Sequence, residues 1–415
     1  MDYSKQTAVF DQAVLRNSSI AVIGNSNIAS FFLLYAAGLG IGSITLFTGR
    51  EKGFLDPMLA SMINTDLEIA EINTEFEPDF IGKADIIADF TNSIESKQKT
   101  REYALRHSIT YMSASSAAAK AGIAVEYPRS RLESMLNSLP PITGYEELQG
   151  SFTSGLIAAI AMDEARKSLL NLPGDERVSG ALSINAKTII AKHKPALVIG
   201  AGGIGTYLAL NLALLGIPIE IYDGDNIEET NLNRQVLYYD AVGKNKALAL
   251  KQKLESLIDA RIQANGCFFE EKHAANKDYS AIFSCVDSWH ARKLISRYAL
   301  ESNIPLVDAG VGAFTARLDV ASNNTCLECR RGKIKLQQKK PESCASVAES
   351  NIVMCNALIG AVAAGFYSKE FLNPEKQLLY FSKKPIHEKI SYLPVEAQCS
   401  CKKGEGCACH NQEAQ

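Results

Sequence analysis

The sequence predicts an α/β protein made of two tandem copies of one unit, each a mostly parallel sheet flanked by helices. Three observations carry this. Residues 19–47 and 196–222 both read as strand, glycine-bearing turn, apolar helix and strand. Residues 84–113 lie over 280–310, in a register fixed by Tyr103-Ala104-Leu105 against Tyr298-Ala299-Leu300, which sets Asn92 opposite Asp287. The apolar stretch from Ser151 lies over the one from Asn351, and both read as helices that end in charge. Three blocks repeated in the same order point to duplication rather than to chance likeness of two Rossmann-like βαβ units.

Taken in order, residues 19–24 give a strand, 27–37 an apolar helix and 43–47 the next strand. The turn Gly24-Asn25-Ser26-Asn27-Ile28-Ala29 is a worn phosphate loop that keeps only its first glycine. The polar stretch Leu172-Pro173-Gly174-Asp175-Glu176-Arg177 sets the boundary, giving domains 1–178 and 179–415. The first copy lacks the counterpart of residues 231–246.

The chain has 415 residues, of which 47% are hydrophobic and 21% charged, enough apolar material for two cores. A net charge of -3 with scattered Lys and Arg offers no basic stripe for nucleic acid. The N-terminus lacks a cationic start followed by an apolar core, so no secretory signal is expected, and a cytosolic location is. Residues 20–48 carry no charge and are long enough to cross a bilayer, but Gly24, Gly38, Gly40 and Gly42 break them into strand, helix and strand. The ten cysteines read as thiols or metal ligands, since a reducing compartment disfavours disulfides.

Function is concentrated in residues 196–246. Gly200-Ala201-Gly202-Gly203-Ile204-Gly205 follows a strand and opens a helix, so backbone N–H groups and a helix N-terminus can face a phosphate. Asp223 ends the next strand, where it suits a ribose. These features fit NAD, FAD or ATP. Asp225, Asn231, Arg234, Gln235 and Lys246 follow, and hydride transfer has no need of that Arg and Lys. A triphosphate cleaved at its α-phosphorus needs fixed cations, which favours ATP.

These residues resemble the ubiquitin-activating-enzyme-like adenylyltransferases typified by ThiF and MoeB. The shared marks are G-x-G-G-[LI]-G, a D-x-D strand end, S/T-N-L-N-R-Q, G-x-x-K, and Val286-Asp287-Ser288 followed by Arg292. The resemblance implies that Gly203 lies against the nucleotide and Asp223 holds the ribose. It implies that Asn231, Arg234 and Lys246 handle the phosphates and that Asp287 holds Mg²⁺. Gly200, Gly202, Gly205, Asp225 and Gln235 complete the implied ATP site, together with Lys5 from the segment Asp2-Tyr3-Ser4-Lys5-Gln6, which would reach across from the first copy.

In the first copy Thr48-Gly49 replaces the ribose acid, the Asn-Arg-Gln loop is missing and Asn92 replaces the metal-binding Asp. An amide lacks the formal charge that a carboxylate gives Mg²⁺, so the first copy is expected not to adenylate. An inactive unit fused to an active one resembles ubiquitin-activating enzymes proper and implies an intramolecular pseudo-dimer. The implied substrate is the C-terminal carboxylate of a ubiquitin-like or sulfur-carrier protein with an exposed tail, and a conjugating enzyme would follow. Oligomerisation beyond the pseudo-dimer stays open.

Cys326 and Cys329 form a two-residue-spaced pair suited to tetrahedral zinc. The resemblance implies a second pair in the Cys-rich tail, where Cys399 and Cys401 stand. It also implies a crossover loop at about 326–350 with Cys344 as a thioester nucleophile, preceded by a basic, polar stretch that would lower a thiol pKa. Cys285 and Cys355 are expected in the core. The competing readings are a sulfur-carrier or peptide-modifying adenylyltransferase that stops at the acyl-adenylate and, from other classes, a nicotinamide-dependent oxidoreductase or a non-catalytic scaffold.

Overall fold

The computed structural model describes residues 1–7, 10–117, 120–128, 152–185, 194–274, 278–321, 326–327, 330, 352–368 and 371–395. In the first unit β1 (Ser19–Ile23), β2 (Ser43–Phe47), β3 (Glu68–Ile72), β4 (Ile86–Asp89), β5 (Thr110–Ala117), β6 (Lys120–Glu126) and β7 (Gly180–Asn185) form a sheet in the order 3-2-1-4-5-6-7. The second unit uses β8 (Ala196–Ile199), β9 (Ile219–Tyr222), β10 (Ile262–Asn265), β11 (Ala281–Ser284), β12 (Leu306–Val311), β13 (Thr315–Ala321), β14 (Lys376–Phe381) and β15 (Ile390–Pro394). Their order is 10-9-8-11-12-13-14-15, which is the first order with every label raised by seven and one further edge strand. Pairing is parallel as far as β5 and β12 and antiparallel beyond them. The repeat read in the sequence is therefore a repeat of topology.

The boundary needs correction. Gly180–Asn185 pairs with β6 as the last strand of the first sheet, so the chain changes units between Asn185 and Ala196 rather than at 178. The polar stretch 172–177 is a turn inside the first unit, where the chain leaves a helix to return to its own sheet.

The helices are α1 (Ser4–Thr7), α2 (Gln12–Arg16), α3 (Asn27–Leu39), α4 (Pro57–Ile63), α5 (Ile94–Arg106), α6 (Phe152–Leu169), α7 (Gly203–Leu214), α8 (Lys246–Leu257), α9 (Trp289–Ser302) and α10 (Val353–Ala364). Four of them, α3, α6, α7 and α10, meet between the two sheets. Every residue of α10 and all but the first of α3 are buried, as expected of helices that are apolar all round. The charge-free run 20–48 thus serves burial between units, and among the described residues no helix is long and apolar enough to cross a membrane. Each fully buried Leu, Ile, Val or Phe in this layer contributes about 1.5–3 kcal/mol. Tyr35 of α3 and Tyr207 of α7 meet edge to face across it, 5.5 Å between ring centres.

The layer also carries charge. On α6, Asp163, Glu164, Arg166 and Lys167 are all buried, and their partners include Tyr380, Ser382 and Lys389 of the second unit. Arg166 lies between the rings of Phe10 and Phe314, 5.4 and 5.6 Å from their centres.

Candidate active site

Strand order reverses direction between β8 and β11, and the loops leaving those two strands open a cleft of about 1110 Å³. Gly200 follows β8 with φ +98, a left-handed conformation that a side chain would strain. A Cβ there would also stand 2.8 Å from the Cys285 carbonyl. The glycine therefore lets the two loops close on one another. The helix α7 begins at Gly203, so the glycines themselves form its first turn. Its N-cap, Gly202, makes no side-chain cap, so the first N–H groups of α7 are left for a ligand.

Asp223 holds this turn. One carboxylate oxygen accepts from the Ala201 N–H at 2.6 Å and the other from the Asp225 N–H at 2.8 Å. Burial pushes the Asp223 carboxyl above the ordinary range, against the pull of those two donors. Tyr238 donates to the Ala201 carbonyl at 2.7 Å and braces the turn from the other side, a role that no sequence signal marks.

The polar loop after β9 brings the expected residues to the same cleft. Asn231 accepts from the Glu228 N–H at 3.2 Å and so closes a short turn. Arg234 donates to the Thr230 carbonyl at 2.6 Å and to the Asn233 side chain at 3.2 Å, which fixes its guanidinium at the wall. The amide of Gln235 is buried, and its oxygen has no hydrogen-bond partner among the described residues. Lys246, at the start of α8, pairs with Asp225 at 3.1 Å. Asp287, in the loop after β11, is exposed and makes no hydrogen bond to another described residue. An open carboxylate and an orphaned amide oxygen thus line one cleft, and oxygen donors of this kind suit a hydrated Mg²⁺ and a polar ligand.

Of the residues proposed from sequence for ATP, all but Gly205 and Lys5 line this cleft. Gly205 lies behind it, where a Cβ would be 1.9 Å from the Gly200 carbonyl. Lys5 belongs to α1, and its side chain lies outside the described groups. Cys285 corrects an expectation: it follows β11 rather than sitting within a strand, is half-buried and lines the cleft, and burial pushes its thiol up to about 12. Cys355 is core, as expected. Cys329, Cys344, Cys399 and Cys401 lie outside the described residues, and Cys326 is buried. Among the described residues no group of three His, Cys, Asp or Glu could hold a metal.

Sequence reasoning missed two wall residues. Arg317 of β13 lines the cleft and lies against Gly310 of β12. Asn356 of α10 touches the glycine turn, where a Cβ on Gly203 would come within 2.4 Å of it. Both come from elements far along the chain with no motif of their own.

The first unit supports this loop directly. Asn233 donates to Gln6 of α1 at 3.4 Å, and Gln6 donates in turn to Gln12 at 2.7 Å and to the Leu39 carbonyl at 3.0 Å. A Cβ on Gly38 of α3 would lie 2.7 Å from Val236 and 2.8 Å from the Asn233 carbonyl. Gly38→Val should therefore displace the Asn-Arg-Gln loop and cost about 1–3 kcal/mol of stability by overpacking. Thermal melting and nucleotide titration check this, with Gly174→Ala, which meets nothing within 4 Å, as the neutral control.

The ThiF family profile matches residues 186–402, just over half of the chain and beginning where β7 ends. The chain belongs to the ThiF family. Its similar proteins include the NEDD8-activating enzyme E1 catalytic subunit of Caenorhabditis elegans, 34% identical over 152 residues, which are 32% of this chain and 35% of that protein. The SUMO-activating enzyme subunit uba-2 of the same organism is 32% identical over 142 residues, 32% of this chain and 24% of that one. The adenylyltransferase and sulfurtransferase uba4 of Neosartorya fischeri is 38% identical over 115 residues, 27% of this chain and 22% of that one. The match thus spans about a third or less of each relative's length.

Proposed function

We propose that the second unit adenylates the C-terminal carboxylate of a small ubiquitin-like protein with ATP. The single observation that supports this best is the convergence, in one cleft, of the uncapped N-terminus of α7, the cations Arg234 and Lys246, and the open carboxylate of Asp287. A carboxylate and a triphosphate repel one another, so a cleft that joins them must supply fixed positive charge. In the proposed reaction a carboxylate oxygen attacks the α-phosphorus, the bond to the bridging oxygen of the β-phosphate breaks, and pyrophosphate leaves with the electron pair. The glycine turn and α7 would seat the phosphates, Arg234 and Lys246 would carry the charge that builds on pyrophosphate, and Lys5 would add to it from the first unit. Mg²⁺ held by Asp287 would neutralise phosphate oxygens and orient them.

The second step we propose is attack of the Cys344 thiolate on the acyl carbon, with AMP as the leaving group and a thioester as product. Structural zinc on Cys326, Cys329, Cys399 and Cys401 and hand-over to a conjugating enzyme belong to the same reading, as does the division into an inactive first and an active second unit. Likeness to an adenylyltransferase and sulfurtransferase favours a second reading in which chemistry stops at the acyl-adenylate or passes to sulfur.

Trp289, the chain's single tryptophan, lines the cleft and gives the test. Its emission should respond to Mg-ATP and not to NAD⁺, and carrier-dependent exchange of pyrophosphate into ATP should follow. A response to NAD⁺ with none to ATP would overturn adenylation in favour of an oxidoreductase. Cys344→Ala should keep the exchange and lose a thiol-labile adduct with the carrier; a persistent adduct assigns the thioester elsewhere.

A further inference from the structure

Asp287 stands on a short loop between β11 and α9, and the backbone itself gives that loop little support. The last bond of β11 runs from the Cys285 N–H to the Ile199 carbonyl at 2.9 Å, and α9 is capped by Ser288, which accepts from the Ala291 N–H at 3.4 Å. Between these two points Val286 and Asp287 make no backbone-to-backbone hydrogen bond among the described residues. Arg292, in the first turn of α9, reaches back and donates to the Val286 carbonyl. Its other terminal nitrogen is bound to Asp308 of β12 and donates to the Ala309 carbonyl at 2.9 Å. Arg292 and Asp308 are both buried, so the guanidinium is fixed to the sheet and holds the loop from there.

The first unit supplies an internal comparison. In the register that sets Asn92 opposite Asp287, Lys97 of α5 stands opposite Arg292, Ser113 opposite Asp308 and Thr91 opposite Val286. Lys97 keeps the contacts to the sheet, since it donates to Ser113 at 3.0 Å and to the Ala114 carbonyl at 2.9 Å. Its third bond goes to the Asp89 carbonyl at 3.2 Å, within β4, instead of to the loop. That loop is tied from the strand end, where Asp89 accepts from the Thr91 N–H at 2.9 Å and from the Thr91 hydroxyl at 2.6 Å. In β11 Ser284 replaces Asp89, and its buried hydroxyl has no hydrogen-bond partner among the described residues. The contact particular to the unit with the open carboxylate is therefore the one from guanidinium to loop carbonyl. A lysine presents one nitrogen, whereas the planar fork of Arg292 serves the sheet with one nitrogen and the loop with another.

We infer that Arg292, anchored by Asp308, is the positioning residue for Asp287 and keeps that carboxylate presented to the cleft. The value of this to catalysis rests on the adenylation reading, but the hold on the loop is a property of the chain alone. Trp289, two residues after Asp287, reports on the loop directly.

The test is Arg292→Lys in the full chain, which gives the second unit the cation of the first. Without nucleotide or metal, the emission anisotropy of Trp289 should fall below that of wild type while the melting temperature stays near it. The Mg²⁺ concentration that half-saturates carrier-dependent pyrophosphate exchange should rise about tenfold, with the maximal rate largely kept at saturating Mg²⁺. Unchanged anisotropy in the folded variant overturns the inference, and so does a lower maximal rate with an unchanged Mg²⁺ requirement. An equal fall in Lys97→Met, which removes the matching cation from the first unit, would mark general loosening and overturn it too. If the anisotropy falls but no protein, wild type included, exchanges pyrophosphate, the adenylation reading fails and Arg292 keeps its role in holding the loop. Should Arg292→Lys not fold, Asp308→Asn keeps the shape of the anchor and removes its charge, and unchanged anisotropy in that variant is equally decisive against the inference.

Discussion

Asp287→Asn should silence pyrophosphate exchange by at least a hundredfold, a loss of about 2.7 kcal/mol in transition-state stabilisation, while leaving the fold unchanged. The side chain is exposed at the cleft and makes no hydrogen bond to another described residue, so the amide removes charge without breaking a structural contact. ATP should still change Trp289 emission, because the glycine turn, Arg234 and Lys246 remain. Exchange that survives at more than a tenth of the wild-type rate would remove Asp287 from the metal site and with it the proposed division of labour. The converse change, Asn92→Asp, should not create a second active site. In the first unit the N–H of that residue already binds Glu51, and a carboxylate placed there would face another one.

The contrast between the two units shows what the sequence could tell. The strand and turn periodicities that define β1, β2, β8 and β9 are local, so the paired units and the glycine turn after β8 were legible from spacing alone. Arg234, Lys246 and Asp287 lie on three different segments, and only the ordered set of motifs placed them together. The fold-back of the segment after β2 onto α3 was not legible. Glu51 lies in a polar loop like many others, and nothing local says that its segment turns back onto Ser26 and Ser30. The strands β6, β7, β13, β14 and β15 were also missed, because antiparallel returns at a sheet edge have no turn motif comparable to the glycine loop. The displaced boundary has the same origin, since the polar stretch 172–177 reads as a boundary between units but is the turn leading to β7.

The charged end of α6 misleads most. Read alone, an apolar helix that finishes in Asp163, Glu164, Arg166 and Lys167 looks like one whose last turn meets water. In the fold all four are buried. The partners that make this tolerable come from more than two hundred residues away. Tyr380 donates to Asp163 at 2.6 Å, Ser382 donates to it at 2.7 Å, and Lys389 is bound to it as well. Glu164 lies 3.0 Å from Lys389 and 3.1 Å from Lys167, and accepts from Tyr127 at 2.5 Å. No periodicity or spacing rule reaches that far along a chain.

Asp163→Ala is accordingly expected to be the most destabilising single substitution in the unit interface, costing about 3–5 kcal/mol, because it leaves Lys389 and Arg166 buried without their shared counter-charge. The effect should appear as a lower melting temperature and as early separation of the two units, since Asp163 belongs to the first and Lys389, Tyr380 and Ser382 to the second. The pH dependence carries a sign that checks the assignment. Burial alone would raise the Asp163 carboxyl, but Lys389, Arg166 and Lys167 outweigh it and hold the group well below the usual carboxylate range. A carboxyl depressed on folding contributes stability that is fully present above its unfolded value, about 3.9, and is lost as pH falls below it. Wild type should therefore lose stability on acidification through that range more steeply than Asp163→Asn, which has no proton to take up at this position. Parallel acid-melting curves for the two proteins would show that the buried cluster does not join the units in the way the geometry requires.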